Sequence, residues 1–411
     1  MGLERNAKIE QYAEIAVRVG LNVQPGQPVW IHAPIHAPEF VRSVVRKCYE
    51  AGAKDVQVEW YDDAVTQLKY KMAPDEIFGQ YPSWRVKALE ENAEDNGAYL
   101  SIISSDPELL KETPAGRIAA FSKASGQALA KWRGYTTSNK ISWAIVGVPS
   151  PAWAAKVFPG LDSQKAVDAL WDAILKTARA DGEDPVRDWQ EHDASLHRRR
   201  EILTRKQYRK LIYRAPGTEL TVELPAGHVW AGGSAVTERG VPFLPNIPTE
   251  EVFTSPRRDG TSGYVTSTKP LSYRGNVIEN FTLTFENGRV TDYRAEKGQD
   301  ALKAMLEVDE GALHLGEVAL VPHRSPISES NLIFYQTLYD ENASCHLAIG
   351  QAFPFCLENG VAMSVEERQA AGLNVSLTHV DFMIGSENLD IDGEFADGNR
   401  EPIFRKGNWA F

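Results

Sequence analysis

Short apolar runs alternate with amphipathic segments over the first half of the chain. Strands are predicted where the runs are short and rich in branched and aromatic residues, and helices where apolar residues recur every three or four positions. The predicted strands are PVWIHAP (28–34), DVQVEW (55–60), YLSIISS (99–105) and SWAIVGVP (142–149). Helices are expected near 38–52, 113–133 and 163–180. This alternation indicates βαβ units, and therefore a doubly wound α/β domain with a largely parallel sheet.

The second half of the chain has a different pattern. A strongly helical segment begins near residue 182, and short alternating strands separated by turns follow it. In FENGRV, Asn287-Gly288 suits the type I′ turn of a β-hairpin. Because 411 residues exceed the size of most single cores, we predict two domains. They are an α/β domain over 1–190 and a mixed α+β domain over 191–411, with the boundary between 185 and 205.

Composition and charge exclude several classes of protein. The apolar content of 43% and the charged content of 24% are those of a folded globular chain. The net charge of −12 opposes a phosphate backbone, so nucleic-acid binding is not expected. No apolar run approaches the roughly 18 residues of a membrane span, and the charged start of the chain does not read as an export signal. Cys48, Cys345 and Cys356 lack CxxC spacing, which favours a cytoplasmic protein.

Candidate metal ligands remain after the common catalytic motifs have been excluded. The sequence contains no GxGxxG after a strand, no GxxxxGK[ST], no HExxH and no GxSxG. It does contain LTHVDFMIGS, where His379 and Asp381 lie two residues apart in an apolar run. In a strand both side chains would point to the same face and could meet one ion. A hydrogen-bonded structural pair is the alternative.

Two further fragments supply the same types of ligand. YDENASCHLAIG contains Glu341 and His346. LGEVALVP places Glu317 among apolar residues, where an unpaired carboxylate would be costly. Glu317 is therefore either a metal ligand or an acid that is exposed or held in a salt bridge.

NIPTEEVFTSP contains two adjacent acids, Glu250 and Glu251. In an extended backbone their side chains point in opposite directions, so only one would enter a shared site. A solvated acidic turn is the alternative for this fragment. Taken together, the fragments offer at least four carboxylates and two imidazoles, a set that suits two zinc, cobalt or manganese ions. Such a pair, about 3.5–4 Å apart, can share a carboxylate and a water and polarise a carbonyl.

These fragments resemble, in order and spacing, the metal-site segments of the thermophilic aminopeptidase T and aminopeptidase S family. The likeness extends to GVPSPAWAAKVFPG and DWQEHDASLHRRREIL, so it covers nearly the whole chain. The resemblance implies a dinuclear exopeptidase that removes N-terminal residues from peptides with a free amino terminus. It also implies a homodimer that encloses an internal cavity.

The resemblance assigns roles to individual residues of the predicted second domain. Glu317 is expected to bridge the two ions, and Glu250 is the candidate general base. The full set of positions that correspond to metal ligands is Glu251, Glu317, Glu341, His346, His379 and Asp381.

One position departs from the family pattern. The family has a catalytic tyrosine seven residues after the histidine ligand, whereas this chain has Phe353 in QAFPFCLENG. Phenylalanine cannot donate a hydrogen bond to an oxyanion, and the loss of one such donor costs about 10²–10³ in turnover. Either metal polarisation suffices without a phenol, or another group such as Tyr335 or Tyr339 compensates.

Two other functions fit the same ligand set. A metal-dependent amidase or phosphoesterase would keep the ions and change the substrate, although phosphoesters usually require Lys or Arg beside the metal. The ligand fragments contain neither, and Arg257 and Arg258 follow the first of them closely. A metal-stabilised binding protein with weak or lost turnover is the third interpretation, for which Phe353 is the only indication.

Overall fold

The computed structural model describes residues 2–104, 106–273 and 276–411. Contacts divide the chain into two units. The first contains the residues up to His192 together with Ser234–Pro248, and the second contains Asp193–Gly233 and Thr249–Phe411.

Helices and strands occur in both halves of the described chain. The helices are α1 (Gly2–Ile15), α2 (Pro38–Glu50), α3 (Asp63–Met72), α4 (Ser83–Glu94), α5 (Ala115–Ala128), α6 (Ala130–Thr137), α7 (Pro151–Val157), α8 (Ser163–Thr177), α9 (Pro185–Lys206), α10 (Gln299–Leu306), α11 (Pro326–Glu329), α12 (Thr337–Asp340) and α13 (Val365–Ala370). The strands are β1 (Pro28–Pro34), β2 (Asp55–Tyr61), β3 (Ala98–Ile103), β4 (Trp143–Gly147), β5 (Lys210–Ala215), β6 (Thr218–Glu223), β7 (Ala235–Val236), β8 (Pro242–Phe243), β9 (Val252–Thr254), β10 (Thr261–Thr266), β11 (Leu271–Tyr273), β12 (Asn276–Glu286), β13 (Arg289–Lys297), β14 (Leu315–Leu320), β15 (His346–Gly350), β16 (His379–Met383), β17 (Asp390–Glu394), β18 (Arg400–Arg405) and β19 (Asn408–Trp409).

The first unit is built on a parallel sheet in the order β2-β1-β3-β4. The chain moves from β1 to one side for β2 and returns to the other side for β3, which is the reversal of a doubly wound fold. The predicted α/β class and the four predicted strands are confirmed, apart from Ser105, which lies outside the described residues. The helix predicted over 113–133 is divided near Leu129 into α5 and α6.

The segment Ser234–Pro248 belongs to the first unit, although the sequence interpretation assigned all of 191–411 to the second domain. Its backbone explains this difference. The amide of Ile145 in β4 donates to Pro245 O (2.8 Å), and the amide of Ile247 donates to Ile145 O (3.1 Å). The segment therefore adds to the edge of the sheet at β4, a long-range pairing that no local pattern encodes.

Antiparallel pairing dominates the second unit. Its larger sheet has the order β11-β12-β10-β6-β5-β17-β18-β19, with β13 also paired to β12. The predicted hairpin between β12 and β13 is confirmed, since Asn287 and Gly288 both have positive φ, 49° and 80°. The smaller sheet has the order β16-β15-β14-β9 and contains the candidate ligands.

One face of the smaller sheet contributes to the core of the second unit. Val318, Leu347 and Phe382 are paired across three neighbouring strands, and each is fully buried. They belong to the same apolar cluster as Leu211 and Tyr213 of the larger sheet. Because side chains alternate along a strand, the neighbours of these residues in sequence point to the opposite face.

Within the described residues, no helix combines the length and apolar character needed to cross a bilayer.

Candidate metal centre

Strand register brings the candidate ligands to one face of the smaller sheet. Glu317 on β14 is paired with Ala348 on β15, which is paired with Asp381 on β16. His346 lies two residues before Ala348, and His379 lies two residues before Asp381, so both imidazoles share this face. Four polar side chains from three strands therefore converge without any long loop to position them.

The side chains form two groups that have Glu317 in common. Nε2 of His346 lies 3.2 Å from Oε2 of Glu251 and 3.9 Å from Oε1 of Glu317. Nε2 of His379 lies 3.1 Å from Oε2 of Glu317 and 3.3 Å from Oδ1 of Asp381. The ligand atoms of each group lie within 4.8 Å of one another. Five of the six residues predicted to bind metal are thus brought together.

The two imidazoles are oriented from behind by the backbone. Nδ1 of His346 lies 3.2 Å from Ser344 O, and Nδ1 of His379 lies 2.7 Å from Gln351 O. A carbonyl oxygen only accepts, so Nδ1 donates in both cases and Nε2 faces the carboxylates. This arrangement is the usual support of a metal-binding histidine, because it fixes the ring and its tautomer.

Burial and mutual repulsion perturb the acids. Burial raises the pKa of Glu317 to about 7, and the charges of Asp381 and Glu251 act in the same direction. Burial and the charges of Glu251 and Asp381 also raise the pKa of Glu341. Burial would raise the pKa of Asp381 as well, but the charge and hydrogen bond of His379 hold it below its usual value.

The neighbouring carboxylates raise the pKa values of both imidazoles. Burial alone would lower the pKa of His346, but the hydrogen bond and charge of Glu251 outweigh it and raise the pKa to about 10. Asp381 and Glu317 likewise raise the pKa of His379 well above its usual value. The pocket therefore favours positive charge at the position of the two Nε2 atoms.

The composition of the pocket fits divalent cations. Within the described part of the chain, no lysine or arginine forms an ion pair with Glu251, Glu317, Glu341 or Asp381. The positive charge that these buried carboxylates require must therefore come from the two imidazoles, from protons or from bound cations. Carboxylate oxygen and imidazole nitrogen together are the ligands that zinc, cobalt and manganese accept.

Glu341 and Glu250 lie outside the two groups. Glu341 is close enough for the charges of the cluster to act on its carboxylate, and its Oε1 lies 3.4 Å from Nδ2 of Asn342. Glu250 is buried, and its backbone amide donates to Oδ1 of Asn342 at 2.8 Å. Glu251 belongs to one of the two ligand groups and Glu250 to neither, so of the two adjacent acids only Glu251 is placed as a ligand.

Asn342 is a site residue that the sequence interpretation missed. It is fully buried, and it connects the backbone of Glu250 to the carboxylate of Glu341 while Nδ2 also donates to Leu338 O at 3.0 Å. Its position directly after Glu341 was the only available signal.

Small residues on the ligand face were missed as well. Ala319, Ala348 and Gly350 occupy this face between the ligands, and both alanines are fully buried. Larger side chains there would fill the space in which the carboxylates and imidazoles meet.

Phe353 lies beside the cluster. The centroid of its ring is 4.9 Å from that of His379, and its backbone amide donates to Oγ of Ser255 at 2.9 Å. The position at which the resembled family has a tyrosine thus adjoins the ligands, and in this chain its ring carries no hydroxyl. Tyr339 is fully buried, and its ring stacks on that of Phe334 with centroids 4.8 Å apart. Replacement of the missing hydroxyl by that of Tyr339 or Tyr335 stays a prediction.

Comparison with known sequences identifies the family. A sequence profile described as thermophilic metalloprotease (M29) matches residues 5–409. The chain belongs to the M29 family. The resemblance drawn from the ligand fragments is thereby confirmed, and membership of a metalloprotease family implies bound divalent metal.

Individual relatives match over almost their whole length. Aminopeptidase AmpS of Bacillus subtilis is 55% identical over 98% of both chains, and aminopeptidase T of Thermus thermophilus is 41% identical over 98% of both. The solved structure of wild-type AmpT from Thermus thermophilus, 39% identical, covers 99% of this chain and 100% of its own with a TM-score of 0.94. This chain and that solved structure therefore share one fold over almost their full length.

We predict that Ala348→Leu abolishes metal binding. The added side chain would project between Glu317 and Asp381, whose strands flank Ala348 on both sides, and cross-strand Cβ atoms are only about 4.5–5.5 Å apart. Metal content per chain, measured by elemental analysis after dialysis against zinc, should fall close to zero. Ala348→Gly is the matched control, because it removes volume and should keep its metal. Wild-type metal content in Ala348→Leu, with circular dichroism unchanged, would contradict the assignment.

We predict that Asn342→Ala weakens both stability and metal affinity. The substitution leaves the amide of Glu250 without its acceptor, which costs about 1–3 kcal/mol in free energy of unfolding. Losing support for Glu341 should lower metal affinity by about 10–100-fold. Urea denaturation of the metal-free protein and a competitive zinc titration measure the two effects separately. Unchanged values in both experiments would show that Asn342 does not support the site.

Proposed function

We propose that this protein is a metal-dependent aminopeptidase, which hydrolyses the first peptide bond of peptides that have a free amino terminus. The observation that carries the proposal is the pair of ligand groups sharing the buried carboxylate of Glu317. Family membership supports hydrolysis of peptides, and relatives named aminopeptidases at 40–55% identity support action at the amino terminus.

The proposed site holds two divalent ions, zinc, cobalt or manganese. One would be held by Glu251 and His346 and the other by His379 and Asp381, with Glu317 between them. Glu341 is proposed as a further ligand because its buried carboxylate lies within range of the charges of Glu251, Asp381 and His346. When bound, the ions supply a shared water of lowered pKa and polarise the scissile carbonyl.

Residues of the chain provide the remaining chemistry. Glu250 is proposed as the general base: its carboxylate accepts the proton of the attacking water and delivers it to the nitrogen of the leaving amine. The excess of carboxylates attracts the ammonium group of the substrate. All of these residues lie in the second unit, which we propose is the catalytic domain.

The arginines near the first fragment do not favour a phosphoesterase. Arg257 is paired with Asp259 at 2.8 Å, and Nε of Arg258 donates to Oδ1 of Asn374 at 3.2 Å. Both guanidinium groups are thus engaged away from the ligand groups. The amidase and the inactive binding protein are distinguished by the activity assays below.

We also propose that the protein acts in the cytoplasm as a homodimer. All three cysteines are buried and free, which fits a reducing compartment. The proposal of a homodimer rests on the family resemblance. Sedimentation equilibrium at micromolar concentration would refute it by giving the mass of a single chain.

We predict that leucine arylamide is hydrolysed by the metal-loaded protein, that chelation abolishes the activity, and that zinc, cobalt or manganese restores it. Nα-acetyl-leucine arylamide should be at least about tenfold slower, since a hydrogen bond to a charged group contributes about 1.5–3 kcal/mol. Initial rates measure both effects.

An aryl phosphate serves as the control substrate. Faster cleavage of the phosphate would favour the phosphoesterase, and equal cleavage of blocked and free arylamides would favour an amidase. Full metal content without any hydrolysis would favour the binding protein.

We predict that Phe353→Tyr raises kcat and leaves metal content unchanged. The new hydroxyl would lie beside His379, and a donor to the oxyanion contributes up to about 10²–10³ in kcat. Phe355→Tyr is the matched control, because it adds a phenol to the neighbouring ring without adding one at the family position. A fall in kcat for Phe353→Tyr would show that this position does not need a phenol.

A further inference from the structure

Three phenylalanines form an apolar surface that begins at the metal centre. The rings of Phe353 and Phe355 are stacked, with centroids 5.2 Å apart and an interplanar angle of 21°. Phe253 meets both edge-on, at 5.5 Å and 6.1 Å. We call Phe253, Phe353 and Phe355 the phenylalanine wall. Phe353 connects it to the site, because its ring also contacts the ring of His379 at 4.9 Å.

The wall is fixed to the same strands as the ligands. Phe253 lies two residues after Glu251, so extended backbone directs both side chains to one face of the sheet. It is paired with Ala319 of β14, which is paired with His346. A second strand pairing, between Phe253 and Ala231, holds it from the other side through amide bonds of 2.8 Å and 2.9 Å.

Phe353 and Phe355 are held by a short turn after β15. The amide of Phe353 donates to Oγ of Ser255, which is fully buried. The amide of Cys356 donates to Phe353 O at 3.0 Å and closes a turn of 3₁₀ helix over Pro354–Cys356. The backbone therefore sets the distance between the wall and the ligands.

The three rings are only partly covered by the protein. Each retains intermediate exposure, whereas other phenylalanines of the same unit, such as Phe281 and Phe285, have 0–1% exposure. These partly exposed rings border the ligand groups through the contact of Phe353 with His379. Such a combination of apolar wall and convergent polar groups is typical of a ligand subsite.

We infer that the phenylalanine wall receives the side chain of the substrate's amino-terminal residue and selects large apolar residues there. The inference rests on the proposed aminopeptidase function. The amino group and the scissile carbonyl flank a single Cα, so with both at the ligand groups, the side chain on that Cα extends only a few bonds from them. Phe353, in contact with His379, lies within that reach.

The chemistry of the surroundings gives the order of preference. Phenyl rings favour aromatic and branched aliphatic side chains over alanine, because only the larger side chains cover the wall. An acidic side chain would lose its hydration against the phenyl rings without gaining a partner there. We expect phenylalanine and leucine to be the best amino-terminal residues, alanine to be weaker and glutamate to be the poorest.

The test compares kcat/KM for phenylalanine, leucine, alanine and glutamate arylamides on the full-length, metal-loaded protein. Wild type should prefer phenylalanine to alanine by at least about tenfold, and Phe355→Ala and Phe253→Ala should each reduce that ratio by about tenfold. Metal content should stay at the wild-type level. Phe355→Leu should keep most of the preference.

Phe395→Ala is the matched control, because Phe395 is a partly exposed phenylalanine of the same unit that packs on Tyr208. It should leave the substrate ratio unchanged. Inhibition of the wild type by free phenylalanine and free alanine gives the same comparison without any substitution, and phenylalanine should be the stronger inhibitor by about tenfold.

The outcomes separate the wall from the proposed function. An unchanged ratio in both alanine variants, an equal fall in kcat/KM for all four substrates, or equal inhibition by the two free amino acids would overturn the assignment of the wall and leave the aminopeptidase intact. Absence of hydrolysis of every free-amine substrate by fully metal-loaded wild type would overturn both.

Discussion

The register of the strands in the sheet β16-β15-β14-β9 is the constraint on which the site depends. Along β15, and along β14 from Glu317 onward, residues of one parity are core, and those of the other parity are the ligands and the small residues between them. A slip of one residue would bury Glu317 and His346 in the apolar cluster and expose Val318 and Leu347. The free energy that holds the ligands in place is thus largely that of the opposite, hydrophobic face, and the same burial that stabilises the unit positions its chemistry.

That arrangement leaves buried acids in need of positive charge. In the protein alone, the imidazoles of His346 and His379 meet this need, and the shared carboxylate of Glu317 has its pKa raised to about 7. Ions at the two groups would supply the charge more effectively, because Nε2 of each histidine already faces the carboxylates. Ala348 and Gly350 lie on the ligand face, and their small size leaves room for ions between the carboxylates and imidazoles. The phenylalanine wall borders this charged pocket where Phe353 contacts His379.

Local patterns were sufficient to predict the elements, whereas the assignment of the ligands came from the family resemblance and stays a prediction. The period of apolar residues gave the strands of the parallel sheet, and Asn287-Gly288 gave the hairpin. Glu317 and His379 were candidates because polar residues inside apolar runs are costly unless they have a partner, but the pattern alone left a structural pair or a salt bridge equally open. The return of Ser234–Pro248 to the first unit could not be predicted, since it depends on pairing with β4 about 100 residues earlier in the chain. Asn342 and the stacked rings of Phe353 and Phe355 also depend on three-dimensional proximity, which one sequence does not reveal.

The central claim is that the acids and imidazoles of this sheet hold two neighbouring cations. Anomalous diffraction at the metal absorption edge, from crystals of the zinc- or cobalt-loaded protein, tests it most directly. The account predicts two peaks per chain, one in contact with Glu251 and His346 and the other with His379 and Asp381, with Glu317 touching both. A single peak, or peaks away from these side chains, would contradict it.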